Sequence, residues 1–291
     1  MVYLLLVSFI WAFSFGLIKG NLMGLDSNFV SWVRMSISLL IFLPFLRVNR
    51  VPLRLALKLI LAGMLQYGLM YTTYIYSYRF LKAHEVALFT IFTPIYVTLL
   101  NDYFLKRFQL SNLFTTFLAV IGTGIIVYHS ISQLNVVKGF VIMQISNMCF
   151  AFGQIYYREI MKALPEKKDY QIFGLLYFGA VLLTALATSL STNWSALTLT
   201  ANQLLTLLYL GVMASGIGFF LWNYGARKVE GGTLAIFNNL KIPLAIAVSF
   251  IFFHEKGNIP RLIAGGIIVL IALWMNERKN RGLPILSFEK E

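Results

Sequence analysis

The sequence predicts an all-α polytopic membrane protein of ten transmembrane helices arranged as two inverted five-helix repeats. Three observations carry that expectation. Of the 291 residues, 59% are hydrophobic and 12% charged, with a mean hydropathy of +0.76, whereas soluble domains are about 45–50% apolar. The apolar residues gather in runs of spanning length, since roughly 20 residues at ~1.5 Å rise cross a hydrocarbon core of about 30 Å. Two runs also share a proline-centred pattern, VALFTIFTPIYVTLLNDYF around Pro94 and GGTLAIFNNLKIPLAIAVSFIFFHE around Pro243, 149 positions apart.

The runs fall at 2–20, 29–47, 56–77, 84–104, 112–128, 138–157, 171–190, 204–223, 232–253 and 261–276. The first has no basic residues before it, so it is expected to stay as a helix rather than be cleaved as a signal peptide. Ser8, Ala12, Gly16 and Gly20 recur in it every four residues, a spacing that lets helices approach closely, and Ala214 and Gly218 repeat it in the eighth run. Trp11 lies halfway along the first run, and its indole N–H needs a partner in lipid, which turns it toward protein or a cavity. Arg34 sits about five residues inside the outer end of the second run, where its long side chain can reach the interface.

The third run carries Tyr67, Tyr71, Tyr74 and Tyr78 at one-face helical spacing. Such a stripe can line a pathway, with the deeper pair Tyr67 and Tyr71 facing the cavity; the alternative is that Tyr74, Tyr76 and Tyr78 belong to an outer aromatic belt. Gln66, Gln144, Asn147, Asn223 and Asn238 are further polar residues inside spans. Each either meets substrate or joins helices through hydrogen bonds worth about 0.6–2 kcal/mol. The single cysteine, Cys149, excludes an intramolecular disulfide and reads as packing.

Orientation follows from the basic residues. With the N-terminus inside, sixteen of the 24 lie in cytoplasmic segments, from Arg47 to Lys290, and six lie outside: Lys19, Arg79, Lys82, Lys138, Lys256 and Arg261. Both termini are then cytoplasmic, and the net charge of +13 reports membrane orientation rather than nucleic-acid binding. Five crossings per repeat invert the second copy, residues 138–277, relative to the first, residues 1–130, and leave 278–291 as a cytoplasmic tail. FSFG at Phe13–Gly16 parallels FAFG at Phe150–Gly153.

The tract LVSFIWAFSFGLIKG, the Arg34 of FVSWVRMSISLL, and FFLWNYGARKVEGGTLAIFNNLKIPLAIAVSFIFFHEK with the later RLIAGGIIVLIAL resemble the EamA-type branch of the drug/metabolite transporter superfamily across nearly the whole chain. That resemblance implies ten helices in 5+5 inverted repeats, a shared scaffold role for Arg34, and export or exchange of small metabolites such as amino acids across the cell membrane. The chain departs from the family's helix-ending glycine-glutamate pair, with His254-Glu255 in the second copy and Leu105-Lys106 in the first.

Lys241 is the sharpest functional candidate, because an ammonium near mid-membrane costs about 2.5–3.5 kcal/mol unless it faces a cavity or partner. Pro243 adds a freed carbonyl within a turn, and Asn238 lies one turn earlier on the same face. Candidate substrate-binding residues are Lys241, Asn238, Trp11, Tyr71, Asn147, Asn223 and Arg34; Pro94 and Pro243 are candidate hinges. No acidic residue lies mid-span, which tilts the substrate toward an anionic or zwitterionic small molecule. His84, His129 and His254 lie at span ends without metal-ligand spacing, and Ser215 in MASGIG is several turns from His254 in depth. An intramembrane enzyme and a non-transporting scaffold are therefore secondary readings. No cofactor is called for, and the expected partners are a small-molecule substrate and the lipid bilayer, with the oligomeric state open.

Overall fold

The computed structural model describes residues 1–22, 24–49, 51–77, 79–81, 86, 89–106, 108, 110–127, 134–252 and 259–280. Tyr78, His84, His129, His254 and most of the expected tail lie outside them. All regular structure among these residues is helical. The helices are α1 (Val2–Asn21), α2 (Ser27–Phe42, ending in a 3₁₀ turn at Leu43–Phe45), α3 (Leu53–Ser77), α4 (Thr93–Leu105) and α5 (Leu110–Val127). The second half continues as α6 (Leu134–Lys162), α7 (Phe173–Ser191), α8 (Ala201–Ala226), α9 (Gly231–Phe252) and α10 (Ile259–Asn280). Among the described residues, four segments, Ser27–Phe45, Leu53–Ser77, Phe173–Ser191 and Ala201–Ala226, are long and apolar enough to cross a membrane, and shorter apolar helices include Val2–Ile18, Asn112–Gly122 and Ile263–Met275.

The outer faces are apolar. Phe114, Phe117 and Ile121 on α5, Leu182 and Leu186 on α7, and Ile263, Ile267, Leu270 and Trp274 on α10 are exposed. A soluble protein does not leave such continuous apolar surface to water, whereas lipid accepts it.

Side-chain contacts define two ends of the bundle. At one, Lys228 lies over Tyr3 and Tyr224, Arg227 pairs with Asp169, and Arg158 donates to Asn101. This is the basic end. At the other, Asp26 caps α2 by accepting from Asn28 N and Phe29 N and also takes the Thr192 hydroxyl at 2.7 Å, which ties the start of α2 to the end of α7.

Two departures from regular α-helix shape the interior. Residues Met64–Leu69 of α3 and Leu210–Ile217 of α8 are π-helical. Side chains of neighbouring helices bond main-chain carbonyls within such a stretch. In α8 these are Gly211 O, met by Ser38 Oγ at 3.0 Å, and Ala214 O, met by Trp11 Nε1 at 2.9 Å. Tyr177 Oη lies 2.7 Å from both Ser215 O and Gly216 O.

The second departure corrects the expected fourth span. The run at 84–104 is not one kinked helix: a turn at Ile91–Phe92 precedes α4, and Pro94 lies in the first turn of α4, where its missing N–H has no partner to lose. The carbonyls around that break are taken by Thr93 Oγ1 on Thr90 O (2.8 Å), Asn147 Nδ2 on Phe89 O (2.7 Å) and Asn239 Nδ2 on Ile91 O (3.3 Å). Pro243, by contrast, lies inside continuous α9. The two prolines are therefore not a symmetric pair of kinks.

Close helix approach is set by glycine. A Cβ at Gly63 of α3 would lie 1.9 Å from Leu176 O of α7, and one at Gly179 of α7 would lie 2.0 Å from Ile60 O of α3. Both obstacles are backbone, so neither can swing aside. Gly179→Ala should therefore force α3 and α7 apart and destabilise the detergent-solubilised protein by about 1–3 kcal/mol, seen as a lower unfolding temperature; Gly20→Ala, with nothing within 4 Å of its Cβ position, should leave that temperature unchanged.

Candidate functional site

A cavity of about 90 Å³ opens between the middle of the bundle and the end opposite the basic one. It exceeds several-fold the roughly 10–15 Å³ that a single water needs. Its wall is built by Trp11, Ser14 and Ile18 of α1, Arg34 of α2, Met70, Tyr71 and Tyr74 of α3, and Thr90 and Thr93 at the break before and into α4. Ser146, Asn147 and Phe150 of α6, Phe219 of α8 and Lys241 of α9 complete it. None of these residues is acidic, and two are cationic.

Lys241 is 9% exposed. Its Nζ lies 5.3 Å from the Trp11 ring centroid and 5.2 Å from that of Phe150, so the ammonium is held between two aromatic faces. Among the described residues no carboxylate meets it. Cation–π contacts contribute about 0.5–2 kcal/mol each, which offsets part of the cost of a charge at this depth and leaves it un-neutralised.

Arg34 is 1% exposed, deeper than its place near the end of the second run suggested. Its Nε donates to Ser215 Oγ at 3.1 Å and its Nη2 to Tyr71 Oη at 2.5 Å, with the guanidinium carbon 4.4 Å from the Tyr71 ring centroid. Its Nη1 is buried and has no hydrogen-bond partner among the described residues. The π-helical stretch of α8 supplies Ser215, so the backbone irregularity positions the guanidinium. An arginine fixed by two neighbours and keeping a free N–H at a cavity wall is set up for an acceptor.

The candidates separate into two groups. Lys241, Arg34, Trp11, Tyr71 and Asn147 line the cavity; Asn238 and Asn223 do not. Asn238 Nδ2 donates to Leu234 O at 2.9 Å and to Gln154 Oε1 at 3.3 Å, which draws its amide away from Lys241. Asn223 forms a reciprocal amide pair with Gln66, at 2.8 and 3.0 Å. Tyr67 stacks on Phe219 and Tyr177 in the core, whereas Tyr71 and Tyr74 of the same stripe line the cavity. Ser14, Thr90, Thr93, Ser146 and Phe219 escaped the sequence reading because small hydroxyls and phenylalanines are unremarkable inside apolar runs. FSFG and FAFG, which hold Ser14 and Phe150, were the available signal.

The EamA-like transporter family matches residues 1–128 and again 137–281. The chain belongs to that family. It is therefore an integral membrane protein and a transporter rather than an enzyme. Among similar curated proteins, the biotin transporter of Salmonella typhimurium is 38% identical over 280 residues, 96% of this chain and 93% of its own length. The biotin transporter of Escherichia coli K12 is 37% identical over the same shares. A probable biotin transporter of Pseudomonas aeruginosa is 36% identical over 97% of this chain and 99% of its own length. A solved structure described only as a crystal structure of protein superposes with a TM-score of 0.76 at 12% identity, covering 94% of this chain and 95% of that one; it shares the fold.

A buried cation that meets no carboxylate among the described residues carries a folding cost. Lys241→Met keeps the side-chain length and removes the charge, and it should stabilise the substrate-free protein by about 1–3 kcal/mol. Thermal unfolding in detergent measures this, and a clear destabilisation would show that the ammonium serves the scaffold.

Proposed function

We propose that this chain is a secondary transporter for a biotin-type carboxylate, bound with its anionic group between Lys241 and Arg34 and moved by alternating access. The observation that carries the reading is a single cavity lined by two buried cations and no acid. A bound carboxylate relieves both charges at once, and it leaves when water or another anion replaces it. Biotin carries one carboxylate, and the names of the relatives agree with that chemistry. Those names give no direction of transport, so the exporter or exchanger expectation rests on family resemblance alone.

The same proposal includes the architecture: ten spans in two inverted five-helix halves, with both termini cytoplasmic. Packing supports the repeat. Exchanging each helix with the one five places along maps α1 against α9 onto α6 against α4, and α2 against α8 onto α7 against α3. The pairs α2 with α7, α4 with α9 and α5 with α10 map onto themselves. The π-helical stretches lie in α3 and α8, which are partners under the same exchange. With the basic end cytoplasmic by the positive-inside rule, the cavity opens outward and the contacts of Arg158 with Asn101 and Arg227 with Asp169 close the cytoplasmic side.

Uptake and efflux of labelled biotin, beside a panel of amino acids and other carboxylates, are to be measured in proteoliposomes. Lys241→Ala should lower biotin flux at least about tenfold, the equivalent of one lost charge-assisted hydrogen bond of roughly 1.5–3 kcal/mol, and Lys241→Arg should retain a measurable part. Unchanged flux in a folded Lys241→Ala protein overturns the site. A wild type that moves amino acids but not biotin overturns the substrate class.

A further inference from the structure

Beneath the cavity, toward the basic end, lies a layer of buried carboxamides that the site does not use. Trp222 stacks under the cavity floor, its ring 4.8 Å from Trp11 and 6.1 Å from Phe150. Its Nε1 donates to Gln154 Oε1 at 2.8 Å, and Asn238 Nδ2 donates to the same oxygen at 3.3 Å. Asn238 is one helical turn below Lys241 on α9. Gln154 and Asn238 are both fully buried.

The pair is incomplete in a specific way. With its oxygen taken twice, Gln154 keeps an unpartnered Nε2, and Asn238, with its amide nitrogen engaged, keeps an unpartnered Oδ1. One free donor and one free acceptor thus sit on two side chains already bonded to each other. Buried amide atoms are rarely left unmatched, because each forfeits its hydration. The nearby Gln66–Asn223 pair satisfies both of its amides in a closed reciprocal pair, and Asn239 Oδ1 and Gln144 Nε2 are each unpartnered singly; Gln154 and Asn238 differ in placing a free donor and a free acceptor on two side chains bonded to each other.

We propose that Gln154 and Asn238 form a second recognition point for a urea- or amide-type head on the substrate, engaged when the cavity extends toward the basic end during transport. A cyclic urea offers a carbonyl to the Gln154 amide N–H and an N–H to the Asn238 carbonyl, while the carboxylate stays with the cations. The inference rests on the biotin-type reading above and adds to it: the head is selected by the amides, and a carboxylate alone is not enough.

Competition against labelled biotin in proteoliposomes tests it, with unlabelled biotin and with octanoate, a carboxylate that has no urea. In the wild type, octanoate should compete at least about tenfold more weakly than biotin, as for sites built to hydrogen-bond a group that the competitor lacks. In Gln154→Met the gap should narrow to within about threefold through weaker biotin competition, with octanoate little changed. A folded Gln154→Met protein that keeps the wild-type ratio, even at lower flux, overturns the inference and leaves the transport reading intact. A wild type that moves no biotin overturns both. Should Gln154→Met and Asn238→Leu both fail to give monodisperse protein, wild-type competition by biotin methylated on a ureido nitrogen decides. Equal competition overturns the inference, and competition about tenfold weaker sustains it.

Discussion

An ammonium in the middle of an apolar bundle, with aromatic faces on two sides and no carboxylate opposite it among the described residues, is the constraint around which this protein is arranged. Lys241 cannot reach water by snorkelling from near mid-helix, and two cation–π contacts do not neutralise it. The surroundings therefore have to hold the charge without cancelling it. Trp11 and Phe150 do that, and Trp11 is itself fixed by donating its indole N–H to Ala214 O of α8. The aromatic clamp thus depends on a carbonyl of the π-helical stretch.

That dependence recurs through the interior. In a hydrocarbon setting every main-chain polar group needs a partner within the protein, so each break in the helical ladder fixes where a polar side chain must go. The π-helical stretch of α8 draws in Ser38, Trp11 and Tyr177, and presents Ser215 to Arg34. The break before α4 draws in Thr93, Asn147 and Asn239. Three of these partners, Trp11, Thr93 and Asn147, also line the cavity. Irregular backbone and site wall are therefore the same feature seen from two sides, and loss of either would expose the other.

Composition and run length made the membrane class legible, because nothing else explains a chain this apolar. Lys241 and Trp11 were legible for the same reason: a charge or an indole inside an apolar run requires a cavity or a partner. Tyr67 and Tyr71 were assigned together on a period of 3.6, but the π-helical stretch at Met64–Leu69 separates them, sending Tyr67 to the core and leaving Tyr71 and Tyr74 on the cavity. Asn238 and Asn223 lie off the cavity wall, which could not be read from the sequence because it gives the face of a helix and not the neighbour across it. Gln154 and Gln66 are the neighbours that claim them. Arg34 was placed near an interface by counting residues, whereas packing against α7 and α8 buries it.

The amides and the cations suit different parts of one molecule. A carboxylate is bound by charge and reads little of what it is attached to, so two cations alone would accept most small acids that fit. Discrimination in an apolar interior comes from polar groups left unmatched unless the right partner arrives. Placing such groups one turn below the cations, behind Trp222 and the aromatic floor, separates capture from selection along the route. An acid lacking the head would neutralise Lys241 and Arg34 but leave Gln154 and Asn238 unpaired as the cavity deepens, which weakens its hold on the site as a whole and so its competition against a substrate that carries the head.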